Sequence, residues 1–334
     1  MIEEVIYENY GIVVERQESN SRFPSFKAGN AIYNIIPLEK LEQEELAERQ
    51  NMSEHLQRQG DRHVSTFILA NHGSYVSEVD KQLFVLLANE EVQQPQRIQR
   101  VGRELAIFHA RGRSINETIT KCSRIGQWKK LWEARIDQLE RMWSQKLQAH
   151  PNNEFEKLFI ETFPYYMVLG ENAIQYLVDT EIDDNPEAVD SGTICYERFQ
   201  QQTWSEAGMM KNPFDWVFDH AVRDVAEWVR NYYFQHLHTH QRGVAEFFQE
   251  YQSVEQFSSF SARLLYARML FPIHYFETIE EYFSTPKESR SHELEEALST
   301  MIKTSQHYER FLKKFFELAK ISAEQMQLPE VGWL

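Results

Sequence analysis

The feature that most constrains this chain is a change of pattern near residue 90. From Ile2 to about Glu90 the apolar residues come in short runs rich in β-branched and aromatic side chains, whereas from Ile98 onward they recur at helical spacing. The first pattern predicts strands and the second amphipathic helices. Strands are expected at Val5 to Tyr10, Gly11 to Arg16 and Ala31 to Ile36, the last entered through a tight turn at Lys27-Ala28-Gly29-Asn30. A helix is expected from Leu38 to about Gln59, then strands at Val64 to Ile68 and Gln82 to Ala88. A boundary at Ala88 to Pro95 would divide 1–90 from 91–334.

Beyond the boundary, Ile98, Val101, Leu105 and Phe108 form one apolar stripe. Trp128, Leu131, Trp132, Ile136, Leu139, Trp143 and Leu147 form a second. A third helical segment runs from Glu154 to about Asp179, with Pro164 marking a kink or a restart. The helix from Ala221 should bury Val222, Val225, Ala226, Val229 and Tyr233. Further helices are expected at Val244 to Tyr251, at Phe257 to Tyr282 with a break at Pro272, and at His292 to Ile321. The last shows Leu294, Leu298, Met301, Tyr308, Leu312 and Phe315 on one side. Ser284 to Ser291 reads as a polar loop, and the tail Leu328 to Leu334 is apolar enough to dock on the body or on a partner. There is no internal repeat, low-complexity tract or long heptad array.

With 334 residues, 42% of them hydrophobic, the chain can fill the cores of two lobes. Its 22 Phe, 15 Tyr and 7 Trp fit filled helical interiors. A net charge of -16 argues against nucleic acid and anionic membrane surfaces as partners. No run approaches the roughly 20 apolar residues of a membrane helix, and the acidic start is unlike a signal peptide, so the protein should stay in the compartment where it is made. Cys122 and Cys195 lie far apart and in no metal spacing, which fits packed thiols in a reducing compartment. His236, His238 and His240 spell a metal-like word, yet at a helix end these offsets point in different directions, where histidine also suits the helix C-terminus.

The chemistry concentrates in Gly-Thr-Ile-Cys-Tyr-Glu-Arg-Phe-Gln-Gln-Gln-Thr-Trp, Gly192 to Trp204, and in Pro213 to Arg230. These segments resemble the catalytic loop, metal loop and following helix of small-molecule kinases of the aminoglycoside and choline phosphotransferase type. Those enzymes carry His-x-Asp-x-x-x-x-Asn after a short strand, and an Asp-Trp or Asp-Phe pair after a hairpin. Through Glu171 to Leu177, Phe214 to His220, Arg223 to Arg230 and Leu328 to Leu334 the chain is identified as a member of the CotS-like family of endospore coat proteins. The resemblance implies an α+β, protein-kinase-like bilobal fold: a small β-rich N-lobe, 1–90, and a large, mainly helical C-lobe, 91–334.

Aligned on Thr193 to Cys195, the family's His falls on Tyr196, its catalytic Asp on Arg198 and its metal-binding Asn on Thr203. Arginine stays protonated and cannot serve as a general base, and a hydroxyl is a weak magnesium ligand. The second-loop carboxylate remains as Asp215, with Asp219 as a shifted alternative, and Asp224 falls where relatives keep a loop-supporting aspartate. Arg223 and Arg198 are candidates to pair with Asp224. The strand Ala-Ile-Tyr-Asn-Ile-Ile-Pro, with Asn34 on the remnant cleft, carries no phosphate-holding lysine, and Gly11 and Gly29 are isolated. Lys27 could reach in from its turn, though an exposed turn lysine is the ordinary role. Without the lysine, Glu42, Glu44, Glu45 and Glu48 have no such partner, and a solvated acidic face is expected. Cys195, beside the lost base, reads as a small residue on a buried strand rather than a nucleophile.

These losses imply a catalytically inactive kinase-like protein with no cofactor and no bound metal, Asp215 being the residual metal candidate. No small-molecule ligand is expected. Its partners would be other coat proteins. It would be made in the mother-cell cytoplasm and deposited in the spore coat. One alternative is a phosphotransferase using Glu197 and Asp215; another is an anion- or nucleotide-binding module using Arg198. Arg198 could instead seal the cleft by pairing with Asp215, Asp219 or Asp224.

Overall fold

The computed structural model describes residues 2–18, 22–40, 42–90, 100–204, 210–284 and 290–332, which form two compact units, Met1–Ser123 with Gly192–Asp224 and Arg124–Ser191 with Val225–Leu334. The first unit opens with helix α1 (Ile2–Tyr10), where strand was expected over Val5 to Tyr10. Its β-branched residues favour a strand locally, but Ile2, Val5, Ile6 and Tyr10 fall on one helical face. That face closes over Phe26, Ile35, Phe84 and Leu86, with Ile6 fully buried. Of the next expected strand only its end is seen, in β1 (Arg16–Glu18).

β2 (Ser25–Ala28) and β3 (Ala31–Leu38) pair antiparallel across the predicted turn, where Gly29 takes φ +60°. Helix α2 (Gln43–Arg58) follows, then β4 (Thr66–Phe67), β5 (Val76–Val79) and β6 (Gln82–Glu90). The sheet order is β1-β2-β3-β6-β4, with β5 also paired to β6. β5 was not expected, because its hairpin turns through Asp80 and Lys81, both at positive φ, without the glycine that announces such turns. One sheet face packs on α1; the other gathers Ile36, Phe67, Val85 and Leu87 with Leu46 of α2 and Phe214. Of the expected boundary, Ala88 to Glu90 lie within β6, and 91–95 fall outside the described residues, as does Ile98.

Helix α3 (Val101–Arg113) turns Leu105, Ala106, Phe108, His109 and Gly112 inward. Its Gly112 lies against β7 (Thr193–Tyr196) so closely that a Cβ there would stand 2.6 Å from Thr193 Oγ1 and 2.8 Å from the Ile194 nitrogen. β7 pairs antiparallel with β8 (Trp216–Asp219).

In the second unit, α4 (Trp128–Ala149) buries Trp128, Trp132, Ile136 and Leu139, whereas Leu131 and Leu147, expected in the same stripe, are exposed. The stripe spans more of the helix circumference than its neighbours cover. Helix α5 (Glu154–Asp183) runs through Pro164 as one helix, capped by the Asn153 side chain on the Glu156 nitrogen. The chain then continues as α6 (Val222–Gln235), α7 (His240–Gln252), α8 (Ser259–Leu270), α9 (Ile273–Ser284), α10 (Ser291–Lys313) and the short α11 (Phe315–Leu318). Pro272 separates α8 from α9, and α6 buries Val222, Val225, Ala226, Val229 and Tyr233, as predicted. The aromatic load goes into core stacks, such as Trp132 on Phe271 at 4.4 Å and Tyr166 on Tyr275 at 3.7 Å. Leu328 of the tail is buried and the Tyr176 hydroxyl donates to Pro329 O, so this end docks on its own unit. Positions 285–289 of the polar loop and 333–334 of the tail lie outside the described residues.

Candidate functional site

The loop that follows β7 begins in an aromatic interior. Tyr196 is buried among Phe108, Phe199, Trp204 and Trp216, and its hydroxyl accepts a hydrogen bond of 2.9 Å from Trp204 Nε1. Its backbone nitrogen donates to both oxygens of Asp224, at 3.1 and 3.0 Å, and its carbonyl accepts from Arg223 Nε. Asp224 is fully buried and also meets His109 Nε2 at 3.1 Å. Burial raises the Asp224 pKa above the ordinary carboxylate value, against the pull of the His109 hydrogen bond. Asp224 thus bonds the backbone at the start of the loop, with a histidine of α3 as a side-chain partner.

Arg223 has another carboxylate. Its Nη1 reaches Asp219 Oδ2 at 2.9 Å, and Asp219 Oδ1 accepts from the His220 nitrogen. Asp219 is fully buried, so both oxygens are engaged inside the fold. Cys195, on β7, is buried too, and its thiol donates to the carbonyls of Asp219 and His220. Burial, with Asp224 and Asp219 nearby, raises its pKa well above the ordinary thiol value, the opposite of what a nucleophile requires. Burial likewise pushes Cys122 up to about 12.

Asp215 ends a 3-10 turn, Pro213–Asp215, held by Asn212 capping the Phe214 nitrogen and by Arg49 Nη1 on the carbonyls of Pro213 and Trp216. Its carboxylate meets Arg22 Nη1 at 2.6 Å. Burial raises its pKa, opposed by Arg22 and Arg49. Asp215 meets Arg22, Asp219 meets Arg223 and Asp224 meets His109, and Arg198 is exposed on the loop. Glu197 is exposed as well, and its backbone nitrogen donates to Asp215 O at 2.8 Å. Thr203 Oγ1 accepts from the Gln200 nitrogen at 2.8 Å, which ties its hydroxyl into the loop backbone.

On the sheet, Asn34 is buried with its Nδ2 at 3.7 Å from Met210 Sδ, and Phe214 packs on Phe67 at 5.9 Å. Lys211 was not anticipated. It is buried, with Nζ 2.5 Å from Asp61 Oδ2 and over the rings of Phe108 and Trp204. Burial lowers its pKa and Asp61 opposes the shift. Lys211 also exchanges backbone hydrogen bonds with His63 and Ser65. Lys27, at the turn end of β2, is half-buried.

The acidic face expected on α2 is only partly solvated. Glu42 pairs with Lys40, Glu44 with Lys121 and Glu45 with Arg49, but Glu48 is buried and accepts from Thr120, Lys121 and Cys122 nitrogens and from Thr120 Oγ1. Burial acts to raise its pKa; the donors outweigh it and leave the pKa below the ordinary glutamate value. The three imidazoles at 236, 238 and 240 do not converge. His236 packs on Tyr232, and His240 packs between Tyr233 and Phe311 with Nδ1 on Leu237 O. Among the described residues the one grouping with metal-ligand proximity is His109, Cys195 and Asp224, all buried and hydrogen-bonded as above.

His109 left a trace in the sequence, a polar residue inside the stripe Leu105, Phe108, Gly112. Arg22, Asp61 and Lys211 left none, because their partners are remote in the chain and a lone charge in a loop has no period.

The model of the family described as "Spore coat putative kinase YutH" matches residues 3–315. The chain belongs to this YutH spore coat family. It is 42% identical over 335 residues to the endospore coat-associated protein YutH of Bacillus subtilis (strain 168), covering 100% of this chain and 98% of that one. Among solved structures, the YutH-family chain is similar to the aminoglycoside phosphotransferase of Alicyclobacillus acidocaldarius subsp. acidocaldarius DSM 446, with TM-score 0.68, 15% identity and coverage of 95% and 96%. It is also similar to the spectinomycin phosphotransferase APH(9)-Ia in complex with ADP and spectinomycin, with TM-score 0.57, 12% identity and coverage of 97% and 98%. A microcompartment-associated aminopropanol kinase gives TM-score 0.58 at 12% identity, with coverage of 96% and 98%. Likeness at these identities shows the fold, an α+β kinase-like fold of the aminoglycoside phosphotransferase type. No helix among the described residues is long and apolar enough to cross a membrane.

Proposed function

We propose that this YutH-family protein is a non-catalytic, kinase-like component of the endospore coat, made in the mother cell and deposited among other coat proteins, with its lobes divided at residue 90. One observation carries the reading: Asp215, Asp219 and Asp224 are each met by a cation or donor of the chain itself, Arg22, Arg223 and His109, and in the alignment that the resemblance implies Arg198 stands at the place of the general base. Phosphoryl transfer needs a carboxylate to receive the hydroxyl proton and oxygens free to hold magnesium. Losing the base alone costs about 10²–10⁴ in rate. The test is isothermal titration with Mg·ATP beside phosphate-release assays on purified protein, and fractionation of spores for the coat-bound chain. Turnover that maps to a carboxylate of this loop would overturn the inactive reading.

A second reading has its own observation. The Glu197 nitrogen is bonded to the Asp215 carbonyl, which brings together two acidic residues, one just after β7 and one just before β8. If Glu197 replaces the base, a phosphotransferase activity would vanish in both Glu197→Ala and Asp215→Ala. An anion site on the exposed Arg198 would show as a thermal shift with phosphosugars or nucleotides that Arg198→Ala abolishes.

A further inference from the structure

We propose that the seat of α10 is an acid-sensitive joint, in which His274 at the start of α9 packs only as a neutral ring and parts the two helices when it takes a proton. The joint lies wholly in the second unit and is independent of what the loop after β7 does.

The surroundings of the ring carry the argument. His274 packs on Phe234 of α6 at 4.5 Å and on Tyr308 of α10 at 5.2 Å. Its Nδ1 is buried and has no hydrogen-bond partner among the described residues. A neutral imidazole can leave that nitrogen as a bare lone pair. The cation cannot, because both its nitrogens then carry a proton, and a buried N–H without an acceptor costs the full desolvation of the group. Beside the ring, Leu270, Pro272, Met301 and Leu312 help to line a cavity of about 20 Å³, room for one water and too little to hydrate a charge.

The carboxylates on the surrounding helices are already engaged. Glu227 of α6 is shared by Arg230 at 3.3 Å and Arg268 of α8 at 3.1 Å. Glu277, one turn further along α9, lies 3.8 Å from Arg135 of α4. Glu309 of α10 accepts from the Tyr165 hydroxyl of α5. Tyr166 and Tyr308 are kept protonated by burial, and the Tyr308 hydroxyl donates to Met269 O. Burial, then the Arg230 guanidinium, lowers the His274 pKa to about 3, with Glu227 opposing. The folded pKa thus lies below the ordinary value of 6.5, so the contribution is whole above that value and is lost as pH falls below it. The cation reaches water only by leaving Phe234 and Tyr308, which separates α9 from α10. His240, packed on Tyr233 and Phe311 and likewise lowered by burial, acts in the same direction.

The experiment is amide hydrogen exchange on the full chain, read as protection factors from pH 8 to pH 5, on wild type, His274→Phe and His274→Gln. Neither variant titrates at this position; the first keeps a ring and the second a polar side chain. Over that interval the wild type should lose about 30-fold more protection in α10 than either variant, the ratio set by a folded pKa well below the ordinary one. Helix α3, in the first unit, should show no such difference. On the wild type alone, labelled with ¹³C-histidine, the His274 Cε1 resonance should keep its neutral position down to pH 5 for as long as α10 is protected. Equal acid loss in wild type and both variants, an equal difference in α3, or an imidazole that titrates near its ordinary value with α10 still protected would each overturn the joint.

Discussion

Asp224 and Asp215 stand at opposite ends of one short segment and are treated in opposite ways. Asp224 is sealed in the interior, where it receives the Tyr196 nitrogen and His109 and fixes the start of the loop to α3 and α6. Asp215 is half-buried and meets one arginine, Arg22, from the segment before β2. In a kinase both would serve one reaction, the first by holding the loop and the second by holding the metal. On the proposed non-catalytic reading, the holding is kept and the reacting face has other side chains. A fold can keep the expensive, buried half of an active site because the architecture needs it, while the exposed half carries no comparable cost of change.

That contrast can be broken by substitution. Asp224→Ala should have the largest effect, a loss of about 3–5 kcal/mol in urea unfolding, since it removes a buried acceptor from the Tyr196 nitrogen and from His109 Nε2. Asp224→Asn should recover part of it. Glu48→Gln comes next, at about 2–3 kcal/mol near neutral pH, because an amide oxygen is a weaker acceptor for the amides of 120–122. Its pH dependence has a defined sign. The folded pKa lies below the ordinary glutamate value of 4.5, so the stabilisation is fully present above that value and is lost as pH falls below it towards the folded pKa. The gap between wild type and Glu48→Gln should therefore narrow on acidification; a gap that widens would refute the assignment. Arg22→Ala should cost less than about 1 kcal/mol, and Arg198→Ala within about 0.5 kcal/mol. If Arg22→Ala proved as damaging as Asp224→Ala, the division between a structural and a dispensable half would fail.

Much of this was legible in the sequence wherever a period or a motif carried it. The helical stripes from Trp128 onward and the turn at Gly29 follow from spacing and residue type. The misreadings have a common origin. Val5 to Tyr10 has strand-like composition, and tertiary demand for a helix over the sheet decided its form. Leu131 and Leu147 share a stripe with buried neighbours, but periodicity gives a face and not the width of what covers it. The Asp80-Lys81 hairpin has no turn signature. At the site, the resemblance drew attention to Asp224, whereas Arg22 on Asp215, Lys211 on Asp61 and Glu48 under the amides of 120–122 are pairings made by the fold between distant residues.

The approach of α3 to β7 at Gly112 has a consequence for reading variation in such a chain. Any side chain there would collide with Thr193 and Ile194 and displace the strand that leads into the loop, at a cost of about 1–3 kcal/mol. A saturation scan would flag position 112 as intolerant, much like a reacting group in a working enzyme, although it has no functional atom at all. Intolerance near this loop measures clearance, and a survey that equates it with chemistry would mistake a spacer for a catalyst.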